Sequence, residues 1–227
     1  MTTKKKIKDY INKGVRKIKH RKGFGVHSPF AYSIITEVIE EKLPYYAYSS
    51  MKRVYTTDAP ISFKVACLMH RLANRFKSRH ILEICCDGGY SALPLVMVDS
   101  RNEILSLADS FIAKASSARL SVLDQRAKQV TYIDSLQAIA DDYKADMVVV
   151  SEMPVGIDTA AFYQWLTQHI HPETVVLVKG VRPKQRFEEL WDMLCDDDNI
   201  EITMDLYDYG LAIRRPRFFK QHYIVSF

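Results

Sequence analysis

The chain has 227 residues, of which 48% are hydrophobic, and a formal net charge of +5. That length suits one α/β domain with a short appendage, and the apolar content excludes wholesale disorder. No apolar run approaches the roughly 18 residues that cross a bilayer, and the charged N-terminus has no apolar stretch behind it, so no secretory signal is expected.

Residues 1–22 hold ten Lys or Arg against Asp9 alone, a charge of +9 within a chain of +5, which leaves −4 for the remainder. Ile7, Ile11, Val15 and Ile18 recur at helical spacing, with basic residues on the other face. Gly14 weakens that helix by about 1 kcal/mol. A basic amphipathic helix can pack its stripe on the domain and leave its lysines in water. It can also meet nucleic-acid phosphates, anionic lipid or a partner. Packing is the favoured expectation, because no aromatic-rich RNA-binding motif accompanies the charge.

Gly23-Phe24-Gly25-Val26 separates this arm from the rest of the chain. Ser28 as N-cap and Pro29 at the first helical position predict a helix through Glu41. Residues 44–60 are tyrosine-rich, and Tyr45, Tyr46, Tyr48 and Tyr55 suit either a lid over a pocket or packing beneath a long loop. A helix is expected over 61–77, with Phe63, Ala66, Cys67, Leu72 and Phe76 facing inward. The organisation read from these features is a basic arm (1–22), a helical extension or lid (23–79) and a main domain (80–227).

From His80 short apolar runs alternate with amphipathic stretches. Strands are expected at 80–85, 103–108, 129–133, 146–151 and 174–179, and helices at 90–98, 110–125, 134–142, 158–170 and 183–195. The runs 147–150 and 175–178 are apolar without alternation, as in strands buried on both faces. Segments 200–207 and 210–214 flank a turn signal at Asp208-Tyr209. The fold class is therefore α/β: a Rossmann-like, doubly wound, mostly parallel sheet ending in an antiparallel hairpin, with an N-terminal helical extension.

Ligands of such sheets bind at the carboxyl ends of the strands, where strand order reverses. The loop after the first strand reads Glu83-Ile84-Cys85-Cys86-Asp87-Gly88-Gly89-Tyr90-Ser91, with paired glycines before a helix N-terminus. Other chemistries lack their signatures. There is no G-x-S-x-G elbow and no G-x-x-x-x-G-K-[ST] loop. Cys67, Cys85, Cys86 and Cys195 show no C-x-x-C spacing and read as reduced thiols of a cytoplasmic protein. His169 and His171 suit a helix end.

Residues 81–91 resemble the first motif of class I S-adenosylmethionine (SAM)-dependent methyltransferases, a strand ending in an acid followed by a glycine loop. More narrowly, Gly25 to Phe30, Asp205 to Leu211 and Lys220 to Phe227 resemble the N-terminal helix start and the C-terminal hairpin and tail of a bacterial group of methyltransferase-like proteins related in fold to the O-methyltransferases. The resemblance spans residues 24–227. It implies SAM as cofactor, S-adenosylhomocysteine (SAH) as product, and a small-molecule acceptor. It further implies that Glu83 orders the loop in which Cys85, Asp87, Gly88, Gly89 and Tyr90 surround the methionine part, with Gly89 permitting close backbone approach. Asp109 would hold the ribose and Asp134 the adenine region, helix capping being the competing role for both. Ser151 would lie near the methyl donor, and Glu152, or else His27, would be the base.

The chain departs from the pattern at four places. The first loop glycine is Cys85, Ala108 stands where the ribose-binding acid is expected, the fourth strand ends in Ser151-Glu152, and the fifth runs into Lys179-Gly180 where the group has paired acids. Lys179 supplies no oxygen ligand, so a divalent-metal site of that kind is not expected. Three readings remain open from sequence: a metal-independent methyltransferase, a non-catalytic binding or scaffold protein of the same fold, and an RNA-binding or RNA-modifying protein guided by the arm.

Overall fold

The computed structural model describes residues 12, 14–16, 18–20, 23, 25–85, 87–182 and 187–227, apart from the side chains of 122–125. Ile7, Ile11, Phe24, Cys86 and the start of the helix expected at 183–195 lie outside the described residues.

Helix α1 (Pro29–Ile34) starts as its sequence predicts, with the Ser28 hydroxyl accepting from the Ala31 amide at 3.3 Å. It runs on as a π-helical turn, Ile35–Ile39. That turn leaves carbonyls without helical partners, and a buried arginine meets them. Arg71 donates from Nε to the Val38 carbonyl at 2.5 Å and from Nη2 to that of Ile39 at 3.3 Å. Arg71 belongs to α3 (Phe63–Phe76), which Ser62 caps and a left-handed Lys77 ends. Between them lies α2 (Ala47–Lys52), a short helix inside the tyrosine-rich stretch that the sequence did not signal. The tyrosines divide. Tyr48 meets Arg71 at 2.9 Å, Tyr55 donates to the Tyr90 carbonyl at 2.5 Å, and Tyr46 is fully exposed.

The sheet has eight strands in the order β3-β2-β1-β4-β5-β7-β6-β8. Strands β1 (His80–Ile84), β2 (Glu103–Leu107), β3 (Val130–Ile133), β4 (Ala145–Val150) and β5 (Ile170–Lys179) are parallel to one another. β7 (Tyr209–Ile213) pairs antiparallel with β5 and with β6 (Ile202–Asp205). β8 (Gln221–Ile224) adds to β6 in parallel. The fold class is as expected. The chain steps outward from β1 through β2 to β3 and then returns to β4, so the strand order reverses between β1 and β4.

Apolar side chains cover both faces. Ile81, Ile104, Met147, Val149 and Leu177 pack with α1, α3 and α4 (Ala92–Val96) in one continuous core shared by the extension and the sheet. Leu82, Ile84, Val148, Val150 and Val176 pack with α6 (Thr159–Gln168) and α7 (Glu188–Asp196). On this second face Gly210 lets the Trp191 ring lie against β7, since a Cβ there would stand 2.3 Å from the indole.

Three elements correct the sequence reading. The helix expected at 134–142 is a single 3-10 turn, Leu136–Ala138, because residues 134–142 place Ser135 and Asp134 in a short β3–β4 connection. The helix expected at 110–125 is α5 (Ser110–Leu120), followed by 3-10 turns, Ser121–Gln129. Tyr209 belongs to β7, so the hairpin turn falls at 206–208, with Tyr207 left-handed at φ 78°.

The described part of the arm is helical, and it docks differently from expectation. Val15 is 46% exposed and Ile18 81%, so the apolar stripe is not the docking face there. Contact is made by Arg16, whose guanidinium grips Asp205 at 2.8 and 2.6 Å and lies 5.0 Å from the Tyr207 ring centre. The Ser226 amide also donates to the His20 carbonyl at 3.0 Å. A bidentate guanidinium–carboxylate pair fixes orientation as apolar burial does not.

Candidate functional site

A cleft of about 1040 Å³ opens at the carboxyl ends of β1, β2, β3, β4 and β5, where the strand order reverses. One wall is built by the ends of β1–β3 and the start of α5: Cys85, Asp87, Leu107, Ala108, Asp109, Ile112, Asp134 and Ser135. The other comprises Ser151, Glu152, the loop 153–157, Lys179 and Pro60. Of the residues singled out from sequence, Cys85, Asp87, Asp109, Asp134, Ser151 and Glu152 line it. Glu83, Gly88, Gly89, Tyr90 and His27 do not.

Glu83 lies beneath the cleft and is fully buried. The β1–β2 register sets it opposite Ser106, on the same face. The Ser106 hydroxyl donates to its Oε2 at 2.5 Å, and the Ser91 hydroxyl meets its Oε1. The same Ser91 hydroxyl meets Asp87 Oδ1 at 2.9 Å, and the Ser91 amide donates to that oxygen at 2.8 Å. One hydroxyl carries one hydrogen, so two carboxyls sharing it are best satisfied when one of them is protonated. Burial, and then the charge of Asp87, push the Glu83 carboxyl up to about 7, the direction that favours a proton on it. Asp87 Oδ2 is shielded from water and has no hydrogen-bond partner among the described residues.

The glycine loop is bound from behind. Gly89 sits at φ 88°, and a Cβ there would lie 2.8 Å from Ser116 Oγ and 3.1 Å from its Cα. Its missing side chain admits α5, whose Ser116 stands against it. Arg119, on the same helix, donates to the Gly88 carbonyl and stacks 3.8 Å from the Tyr90 ring centre. Tyr55 packs on that ring from the extension, and burial raises its hydroxyl pKa far above the ordinary value. Cys85 has a left-handed backbone, φ 56°. For a residue with a Cβ this costs about 1–2 kcal/mol.

Asp109 caps α5, its Oδ1 accepting from the Phe111 and Ile112 amides at 2.9 and 2.8 Å. Asp134 is exposed at the cleft and caps no helix. Ser151 is buried, held by its amide on the Ile84 carbonyl at 3.2 Å, and Glu152 beside it is exposed. His27 is exposed and lies outside the cleft. The sequence reading missed Ser91 and Ser106, the loop 153–157, and Pro60, whose carbonyl accepts from Lys179 Nζ at 3.3 Å. Aligning the strand ends would have set Ser106 beside Glu83. Nothing local signals Pro60. Among the described residues no group of three His, Cys, Asp or Glu could hold a metal ion, and no helix is long and apolar enough to cross a membrane.

No family model matches the chain, and no curated protein matches it. Solved structures do. The chain is similar to an O-methyltransferase of tomaymycin synthesis from Streptomyces achromogenes in complex with SAM: 21% identity, 76% of this chain and 91% of that one, TM-score 0.58. It is similar to an O-methyltransferase from Bacillus cereus in complex with SAH: 17% identity, 81% and 97% coverage, TM-score 0.58. It is also similar to an SAH-bound methyltransferase from Podospora anserina: 17% identity, 83% and 96% coverage, TM-score 0.57. At these identities the likeness establishes the fold, that of the SAM-dependent methyltransferases.

Proposed function

We propose that the chain is a SAM-dependent methyltransferase acting on a small-molecule acceptor. The observation that carries this reading is the cleft at the strand-order reversal, in a fold shared with SAM- and SAH-bound O-methyltransferases. The residues present suit the cofactor. A shielded carboxylate oxygen without a donor, Asp87 Oδ2, is what a methionine ammonium would satisfy. Asp109, capping through Oδ1, would offer Oδ2 to the ribose, and Asp134 would accept from the adenine amino group. Leu107, Ile112 and Leu136 supply an apolar wall for a planar base.

When bound, SAM supplies the electrophilic methyl group. The chain's own work is to orient and to accept a proton. Ser151, buried at the end of β4, fixes the floor between the two walls. Glu152, exposed in the cleft, accepts the proton that the acceptor loses. In-line positioning of acceptor and methyl group supplies the larger part of the rate. Glu83, Gly88, Gly89 and Tyr90 act from beneath by holding the loop in shape. The same reading places the protein in the cytoplasm, supported by the unbridged Cys67, Cys85 and Cys195.

A second reading, a non-catalytic binding module, is favoured by Cys85, which keeps a glycine's backbone while adding a side chain to the cleft lining. Thermal unfolding with and without SAH separates the two. At one hundred times its dissociation constant a ligand stabilises the native state by about 2.7 kcal/mol, a rise of roughly 5–10 °C for a domain of this size. A saturable rise supports the methyltransferase reading. No shift at millimolar SAH rejects it in favour of the scaffold.

A further inference from the structure

The two walls of the cleft differ in charge. Asp87, Asp109 and Asp134 line the β1–β3 wall, while the opposite wall carries Glu152 and Lys179, the cation among the described lining residues. A cofactor bearing cationic groups draws on the acidic wall. Lys179 is left to face whatever else enters. Its Nζ is anchored at the mouth on the Pro60 carbonyl, and an ammonium has two further N–H donors. A neutral acceptor gains little from that charge, whereas a carboxylate gains charge-assisted hydrogen bonds.

Beside Lys179 the loop 153–157 is apolar: Met153, Pro154, Val155 and Ile157 all line the cleft, with Val155 fully exposed. Gly156, at φ 82° with nothing within 4 Å of a built Cβ, leaves the loop room to adjust. Apolar surface with one convergent charge is the make-up of a site for an amphipathic organic anion. Resting on the methyltransferase reading, we propose that the acceptor is an apolar carboxylate that also carries the hydroxyl or amine that is methylated: its oxygen or nitrogen bonds the methyl group as the S–CH3 bond of SAM breaks, and its proton passes to Glu152. The acceptor's anionic group is held by Lys179 and its hydrocarbon body by the 153–157 loop. Lys179 is then a specificity-determining residue.

The test uses the full chain saturated with SAH, and three probes, benzoate, 2-naphthoate and decanoate, each paired with its primary amide. Affinities are read by ligand-observed NMR. At least one carboxylate is expected to bind tenfold or more tightly than its amide. Lys179→Met should abolish that preference, Lys179→Arg should keep most of it, and Val155→Ser should weaken carboxylate and amide alike. SAH binding should be unchanged in all three variants. If SAH binds and no carboxylate outcompetes its amide, or if Lys179→Met leaves the preference intact, the inference is overturned and the cofactor reading survives. If SAH fails to bind the wild-type chain, the methyltransferase reading itself falls.

Discussion

The two walls of the cleft are built in opposite ways. The loop after β1 is cross-bonded from every side, by Ser91 and Ser106 on Glu83, by Arg119 on Gly88, by Tyr55 on Tyr90 and by Ser116 against Gly89. The loop after β4 rests Met153 and Ile157 on the core but exposes Val155 and has open space around its glycine. The first wall is preorganised and its shape is costly to alter. The second is open at its tip, Val155-Gly156, where change costs the fold little. A constant ligand suits the first and a chemically particular one the second.

Two glycines test that contrast most strongly. Gly89→Ala adds a Cβ at positive φ and against Ser116, and should cost about 2–4 kcal/mol. Gly156→Ala has the same positive φ but an empty neighbourhood, and should cost about 1 kcal/mol. Denaturant unfolding measures both, and equal losses would erase the distinction between the walls.

Glu83→Gln comes next, because it replaces the buried acid by a permanently neutral side chain of the same shape. Glu83 has a raised native pKa, so its contribution is full below its unfolded pKa near 4.5 and is lost as pH rises through about 7. Thermal unfolding should therefore show the variant gaining on wild type as pH rises from about 4.5 to about 7, with the difference levelling off above that. A parallel pH dependence in the two proteins would mean that the proton is not on Glu83.

Cys85→Gly should relieve left-handed strain by about 1 kcal/mol and tighten SAH binding by removing a side chain from the cleft. A weaker affinity would mean that the Cys85 side chain belongs to the site. The smallest effect is expected outside the cleft. Arg16→Ala should cost about 1 kcal/mol or less and speed proteolysis of the arm, since the pair with Asp205 is partly exposed. Unchanged cleavage would mean that Arg16 does not hold the arm.

The sheet was legible because fully buried parallel strands such as 147–150 and 175–178 leave uninterrupted apolar runs, and Ser28-Pro29 declared a helix start. β8 was not, because Gln221 to Ile224 alternates between half-buried and exposed at a sheet edge and has no apolar run. The arm's docking was misread for a related reason. Periodicity reports which face is apolar, while the contact is one arginine meeting an acid 189 residues away. In the site, the lining acids were legible from their positions after strands. The contacts of Gly88 and Gly89 with α5 were not, since the approach of that helix is decided by packing.

A crystal structure grown with SAH tests the central claim most directly. The account predicts ligand density along the ends of β1 and β2, with the amino group within hydrogen-bond distance of Asp87 and the ribose beside Asp109, and with the 153–157 wall still open. An empty cleft at saturating SAH, or ligand bound away from the loop after β1, would contradict it.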